Sequence, residues 1–305
     1  MDLDEFVRES DRRGGPNTPD CTAYWMNWIY QPQVAIDQTL DPRSDEYCVQ
    51  QLALYEEMSG RRFDQYANEL TAFDLERNIL APNGYDHSDP KILAHQIAQL
   101  AHMFRRVPMV RGQHLLDMGC GWGLSSEFGA TIGLNVTAVD INPQFIELVR
   151  RRAERLSLPI QTVMGSFDDA ALPPSYDLVL FYECLHHAYK PWELIAKLAR
   201  NLSPGGHFLI AGEPLISDWK HWGMRLDPLA TYCIRKFGWF ESGWSLEFVC
   251  SMFEELGMGV EVDHGGPAQF GANFIAGFNI PQRVRVAATA SRPWHARLRS
   301  ALNLA

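Results

Sequence analysis

A glycine loop that closes a short apolar run sets what this chain can fold into. Residues 114–123 read His-Leu-Leu-Asp-Met-Gly-Cys-Gly-Trp-Gly. An apolar run of that length before a glycine turn reads as a buried parallel strand. Gly119, Gly121 and Gly123 leave a loop with almost no side chains, so the backbone can reverse sharply and come close to a ligand. A helical pattern starts at Leu124 and aims its first N–H groups at the same place. From His114 onward strands and helices alternate. Strands are expected at 114–118, 136–139, 160–164, 177–182 and 207–212, and helices near 123–132, 143–156 and 191–201. Segments 258–263 and 271–278 read as a closing antiparallel pair. Such alternation means an α/β fold, a parallel sheet covered by helices on both faces. Ligands in such folds bind beyond the carboxyl ends of the strands. Asp117, Asp140, Gly165, Glu183 and Glu213 fall at those ends and are expected to converge on one crevice.

The details of the loop discriminate between ligands. Counted from Gly119, the dinucleotide fingerprint G-x-G-x-x-G would need a glycine where Leu124 stands. The lysine and hydroxyl of a phosphate-binding P-loop are also missing. Asp117, a carboxylate beside the loop, repels a pyrophosphate and attracts a ligand that carries an ammonium and a sulfonium. S-adenosylmethionine (SAM) is such a ligand. Val136 to Val139 then ends in Asp140, about 20 residues after the glycines, where an acid can accept two ribose hydroxyls. Ile141 follows, in position to cover one face of an adenine.

Leu-Leu-Asp-Met-Gly-Cys-Gly-Trp-Gly and Val-Thr-Ala-Val-Asp-Ile resemble the first two motifs of the class I SAM-dependent methyltransferases. The resemblance continues through Gly165-Ser166-Phe167, Tyr176-Asp177-Leu178-Val179 and Leu202-Ser203-Pro204-Gly205-Gly206. It covers roughly residues 90 to 280, and it implies a Rossmann-like class I methyltransferase sheet. It also implies a SAM site made by Asp117, Gly119, Cys120, Gly121, Gly123, Asp140, Ile141, Ser166, Phe167 and Tyr182. Where the family's third motif has an acid after its glycine to meet the adenine amino group, this chain has Ser166. Adenine contacts are therefore open between Ser166, Phe167 and Asp168.

The surrounding chain reads as three regions. Residues 1–90 form a helical lid or acceptor-binding region, residues 91–280 the SAM-binding domain with an aromatic-rich insertion at 214–243, and residues 281–305 a basic tail. In the first, Tyr24, Trp25 and Trp28 crowd together. They read either as a plug packed onto the catalytic domain or as a lid whose aromatic faces hold an acceptor. Apolar residues at three-residue steps predict helices between Ser44 and Leu80. Ser88 and Pro90 predict the start of another helix, running to about Phe104, with Ile92, Ile97, Leu100 and Phe104 as its buried face. In methyltransferases of this class the chain before the first strand closes over the methionine end of SAM. That implies Tyr85, Asp86 and His87 at the site, against a reading as ordinary turn chemistry. The insertion carries Trp222, Arg225 and Trp239 and reads as an acceptor wall or as a homodimer contact. Arg283, Arg285, Arg292, Arg297 and Arg299 make the tail basic, and it reads as a plain basic tail rather than a docking segment.

Composition narrows the partners. A formal net charge of -10 disfavours a nucleic-acid polymer, whose phosphates would be repelled. The start is acidic and no apolar run approaches the ~20 residues that span a bilayer, so no signal peptide or transmembrane segment is expected. Six scattered cysteines without C-x-x-C spacing read as free thiols of a cytoplasmic protein.

The chemistry expected is methyl transfer to a small-molecule or glycan acceptor. SAM is already activated, so the protein must position the acceptor and manage its proton. Tyr182-Glu183-Cys184-Leu185-His186-His187 closes the fourth strand, beside the methyl group in this fold. His187 is a candidate base, because imidazole titrates near neutral pH. Glu183 either orients it or binds the acceptor itself, and His186 is the weaker candidate. Glu213 is placed to hold an acceptor hydroxyl or to join Glu183 on a metal, although no clustered ligand spacing supports a metal. Tryptophans beside carboxylates and histidines fit a sugar hydroxyl as acceptor. Segments 222–227 and 237–241 also resemble, more weakly, methyltransferases of bacterial polysaccharide gene clusters. The alternatives are O-, N- or C-methylation of an aromatic or isoprenoid metabolite, and a SAM-fold binding subunit without catalysis. The intact glycines and Asp140 speak against the last.

Overall fold

The computed structural model describes residues 2–16, 18–83, 90–263, 271–281 and 284–285. The expectations for Tyr85, Asp86, His87 and Ser88, and for the side chains of the basic tail, lie outside the described residues. In chain order the helices are α1 (Leu3–Arg12), α2 (Pro19–Trp25), α3 (Asp45–Ser59), α4 (Gln65–Asn68), α5 (Leu75–Leu80), α6 (Pro90–Phe104), α7 (Leu124–Thr131), α8 (Pro143–Leu156), α9 (Pro191–Ala199), α10 (Pro228–Phe237) and α11 (Leu246–Glu254). The strands are β1 (His114–Met118), β2 (Asn135–Asp140), β3 (Ile160–Met164), β4 (Tyr176–Tyr182), β5 (Leu202–Glu213), β6 (Trp222–Met224), β7 (Ser242–Trp244), β8 (Gly259–Asp263), β9 (Ala272–Gly277) and β10 (Val284–Arg285). They divide into two compact units. One is Met1–Glu69 with Pro214–Phe248, and the other is Leu70–Glu213 with the described part of Val249–Ala288.

The second unit is the α/β fold that the alternation predicts. Its sheet runs β10-β8-β9-β5-β4-β1-β2-β3 among the described residues. The run β5-β4-β1-β2-β3 is parallel, and β9 is antiparallel to both β5 and β8. The chain winds outward from β1 to β3, crosses back, and lays β4 on the other side of β1. The strand order reverses between β1 and β4, and a crevice opens there at the carboxyl ends. β1 and β4 are central because they are apolar on both faces: Leu115, Leu116, Leu178, Val179, Leu180 and Phe181 are all buried. The one acid inside β4, Asp177, accepts a hydrogen bond from the His114 N–H at 2.8 Å.

Two details depart from the sequence reading. The face of α6 that is buried contains Gln96, Gln99, Leu100, Met103 and Phe104, whereas Ile97 is exposed. Gln99 lies inward because its Nε2 donates to Asn273 Oδ1 at 2.8 Å, and that same oxygen accepts from the Gly212 N–H at 3.1 Å. The domain boundary also differs, because residues 70–83 belong with the sheet and not with the N-terminal helices. A buried arginine explains this. Arg152 on α8 is 1% exposed, donates to the carbonyls of Asn78 (3.1 Å) and Ala81 (2.8 Å), and pairs with Glu127 on α7. Thr71 O accepts from Asn142 Nδ2 at 2.8 Å and completes the attachment.

The first unit packs the N-terminal helices with the insertion. Here two of the expected acceptor-binding tryptophans, Trp25 and Trp222, turn out to be core, whereas Trp28 and Trp239 are half-buried. Trp25 is 2% exposed, and its indole N–H donates to Ser10 Oγ at 2.9 Å. Trp222 is fully buried and donates to Pro42 O at 2.6 Å, while Tyr47 donates to the Trp222 carbonyl. A tryptophan buried this way gains its apolar area once its single donor is satisfied, which leaves neither face for a ligand. Arg225 is likewise committed, to Asp227 at 2.8 Å and Glu241 at 3.1 Å. Trp28 stacks on Phe6 with centroids 4.1 Å apart, Tyr24 lies against the same ring, and Trp239 stacks on Phe237 at 4.7 Å.

Two stability outcomes follow from these burials. Arg152→Met strands buried carbonyls and Glu127, and is expected to cost roughly 3–5 kcal/mol in urea unfolding; a loss below about 1 kcal/mol would mean that the clamp is ornamental. Trp222→Ala is expected to lose roughly 3–5 kcal/mol, and a variant as stable as the wild type would return Trp222 to the acceptor surface.

Candidate active site

At the end of β1, Asp117 is fully buried. One oxygen, Oδ2, accepts from Ser125 Oγ at 2.7 Å and Ser126 Oγ at 2.5 Å, both in the first turn of α7. The other, Oδ1, is buried with no hydrogen-bond partner. Burial pushes the carboxyl up to about 6, against the pull of the two serines, and the charge of Asp140 adds to the rise. A buried acceptor with nothing to accept from is costly unless a ligand completes it. Its position fits a cationic group entering beside the glycine loop.

The loop supplies the space. Gly119 has φ 68, and a Cβ there would stand 2.9 Å from Cys184 Sγ and 3.3 Å from Phe167 Cζ. Its missing side chain lets the turns after β3 and β4 close onto the end of β1. Gly121 has φ 46, and a Cβ there would meet nothing within 4 Å; it borders open space. Cys120 is buried and its N–H donates to Val139 O at 2.9 Å, while Gly123 caps α7. At the end of β2, Asp140 accepts from the Gly121 N–H and the Asn142 N–H, both at 2.8 Å. It therefore shapes the loop as well as facing the ligand side of the fold, and Ile141 follows it half-buried.

The turn after β3 closes on itself. Ser166 donates from its N–H (2.7 Å) and its hydroxyl (2.8 Å) to Asp169 Oδ1. Its hydroxyl is thus committed within the turn, and Phe167 packs against Phe181 with centroids 5.8 Å apart.

At the end of β4, Tyr182 is buried. Glu183 is half-buried, in the left-handed region at φ 53. Cys184 Sγ donates to Met118 O at 2.9 Å and fastens this turn to β1. Glu213, expected to hold an acceptor, is fully buried. It accepts from the N–H groups of Cys184 (3.1 Å), Leu185 (2.9 Å) and His186 (3.1 Å), and His186 Nδ1 lies 2.9 Å from its Oε2. Four donors around one carboxylate make it the anchor of the turn. His186 is 7% exposed against that anchor, and the His187 ring packs 4.4 Å from the His186 ring.

Sequence reading missed several parts. Ser125 and Ser126 follow the loop directly, so a hydroxyl pair one turn after a buried acid was a readable signal. The cluster of Phe73, Trp122 and Phe145, with centroids 4.6 to 5.3 Å apart, joins the glycine loop to α8 and to residues 70–83. It had no linear signal, because Phe73 lies far from the loop in the chain.

Residues 116–210 match the family model described as "Methyltransferase domain". This is a class I SAM-dependent methyltransferase domain. Its cofactor is S-adenosylmethionine, and the open Asp117 oxygen with the bare Gly121 fits that cofactor's ammonium and its backbone approach. The methyltransferase domain resembles "Ubiquinone biosynthesis O-methyltransferase, mitochondrial" of Schizosaccharomyces pombe, at 29% identity over 52% of this chain and 64% of the relative. It also resembles "Ubiquinone biosynthesis O-methyltransferase" of Xanthomonas campestris pv. campestris, at 32% identity over 43% of this chain and 56% of the relative. The chain thus spans less than two thirds of the length of these relatives. A chain of the Haloferax volcanii complex between the Trm112 methyltransferase activator and a methyltransferase shares the fold. Its TM-score is 0.50 at 16% identity, covering 68% of this chain and 98% of that one. No helix among the described residues is long and apolar enough to cross a membrane.

The raised Asp117 carboxyl predicts a pH dependence for cofactor binding. Its folded-state carboxyl lies above the ordinary aspartate range. Ionising it therefore lowers the stability of the ligand-free protein as pH rises toward about 6, and a bound ammonium favours the ionised form. Calorimetric SAM affinity is expected to be flat above pH about 6 and to fall by up to about tenfold per unit below it, with proton uptake by buffer on binding. Asp117→Asn should weaken and flatten the profile; an unchanged profile in that variant would remove Asp117 from the ammonium site.

Proposed function

We propose that the protein transfers the methyl group of SAM to a hydroxyl of a small-molecule metabolite. The observation that carries this is the buried, half-satisfied Asp117 at the mouth of a glycine loop. Bound SAM supplies a methyl carbon already activated on sulfonium. Asp117 holds its ammonium, Asp140 its ribose, and Ile141 and Phe167 cover its adenine. Ser166 shapes the turn that carries Phe167, and Tyr182 lines the methyl side.

The oxygen acceptor is favoured by the names of the relatives, which are O-methyltransferases. A ring-bearing aromatic or isoprenoid metabolite is favoured over a sugar. Trp25 and Trp222, which motivated sugar stacking, are 2% and 0% exposed. The six cysteines are buried free thiols, which fits a reducing compartment, and the proposed location is the cytoplasm.

A screen of the purified full chain with SAM tests this. Catechols and other hydroxylated aromatics are expected to gain one methyl on oxygen, read by mass spectrometry and fragmentation. Methylation confined to sugar nucleotides or free sugars would overturn the acceptor class, and methylation on nitrogen or carbon would overturn the oxygen reading.

A further inference from the structure

Three carboxylates stand at the ends of β1, β4 and β5, and they differ in what they bind. Glu213 accepts from four donors and Asp117 from two. Among the described residues the Glu183 carboxylate accepts from none. The Glu183 backbone is nevertheless held firmly. Its N–H donates to Ala211 O at 2.8 Å, and its φ of 53 is one that side-chain-bearing residues rarely keep without strong surroundings. Its side chain lies over Gly212, where a Cβ would come within 2.4 Å of Glu183 Cγ. The next residue, Cys184, touches the glycine loop, since a Gly119 Cβ would stand 3.0 Å from Cys184 Cβ. A carboxylate is thus oriented, given room by a glycine, left without a donor among the described residues, and set one residue from a side chain that touches the glycine loop.

We infer that Glu183 is the general base, the group that takes the acceptor's hydroxyl proton as the methyl moves. This rests on the O-methyltransferase reading and replaces His187 in that role. His186 is a positioning residue, held by Glu213, and the His187 ring packs against it at a tilt. In the step, the hydroxyl oxygen bonds to the methyl carbon. The carbon–sulfur bond breaks with its electron pair left on sulfur, which becomes a neutral thioether. The proton passes to a Glu183 oxygen, neutralises it, and leaves to solvent before the next turnover.

The charges around the site match the task. Burial and then the charge of Glu213 push Glu183 up to about 7, so near neutrality it accepts a proton more readily than an ordinary carboxylate. Glu213 on β5 faces it most directly and is itself paired with His186. Asp117 on β1 and Asp140 on β2 push the neighbouring Cys184 thiol up. The other titratable groups in the turn are Tyr182, Cys184, His186 and His187.

Single-turnover methylation of catechol and of 4-nitrocatechol, whose hydroxyl ionises near neutrality, tests the assignment. Wild-type transfer to catechol is expected to climb about tenfold per pH unit up to about 7 and then level off. Glu183→Gln is expected to slow it by roughly a hundred- to ten-thousandfold and to abolish the pH limb, with S-adenosylhomocysteine affinity within about twofold of wild type. On ionised 4-nitrocatechol the defect should shrink below about tenfold, which a merely structural role would not produce. His187→Gln should keep the limb. Wild-type rate and limb in Glu183→Gln, or loss of the limb in His187→Gln, would overturn the proposal. Wild-type inactivity on both probes would instead refute the acceptor class. Infrared difference spectra then judge Glu183 alone, because a protonated carboxyl band that disappears near pH 7 in wild type and is missing from Glu183→Gln supports the assignment. Its absence in wild type overturns it.

Discussion

Gathering carboxylates in a dry crevice is the constraint on which this site depends. The sheet reverses its strand order between β1 and β4, and so brings the ends of several strands together with an acid on each. Charges buried that way must each find compensation. Glu213 finds it in three backbone N–H groups and a histidine, and so freezes the turn after β4. Asp117 finds half of it in two serines, which leaves one oxygen for a cation. Glu183 finds none among the described residues and moves its affinity for protons instead. The number of donors each acid receives separates the anchor of the turn from the two acids proposed as cofactor seat and base. The missing side chain of Gly119 permits the closeness, since Cys184 and Phe167 occupy the space a Cβ would fill.

The fold was legible because a buried parallel strand leaves a simple trace: a short apolar run stopped by a glycine or an acid. Strands 114–118 and 160–164 emerge with the bounds read from sequence, β4 is longer by a residue at one end, and β2 by a residue at both. The glycine loop was legible for the same reason, as its chemistry is local. Glu213 was misread because its partners lie 27 to 29 residues earlier in the chain, and no spacing rule reaches that far. The tryptophans were misread for a different cause. An indole suits a ligand face and a protein core equally well, and only Ser10 and Pro42, supplying acceptors for Trp25 and Trp222, decide for the core. Arg152 shows the same limit: a charge on an amphipathic helix reads as solvated, yet it binds carbonyls of residues 78–82.

These corrections shift where acceptor recognition must be sought. With Trp25, Trp222 and Arg225 occupied inside their own unit, the segments attached to the sheet gain weight. Residues 70–83 are tied down by Arg152 and Asn142, and Phe73 reaches Trp122 in the glycine loop. The proposed ring-bearing acceptor is better served by such apolar surfaces near the loop than by an aromatic platform already stacked on its own neighbours.

The most direct test of the account is a crystal structure with S-adenosylhomocysteine. The amino nitrogen is expected about 3 Å from Asp117 Oδ1, with the ribose at Asp140 and the sulfur turned toward Glu183. A ligand seated elsewhere, or Asp117 Oδ1 satisfied by a protein donor while the ligand is bound, would contradict it.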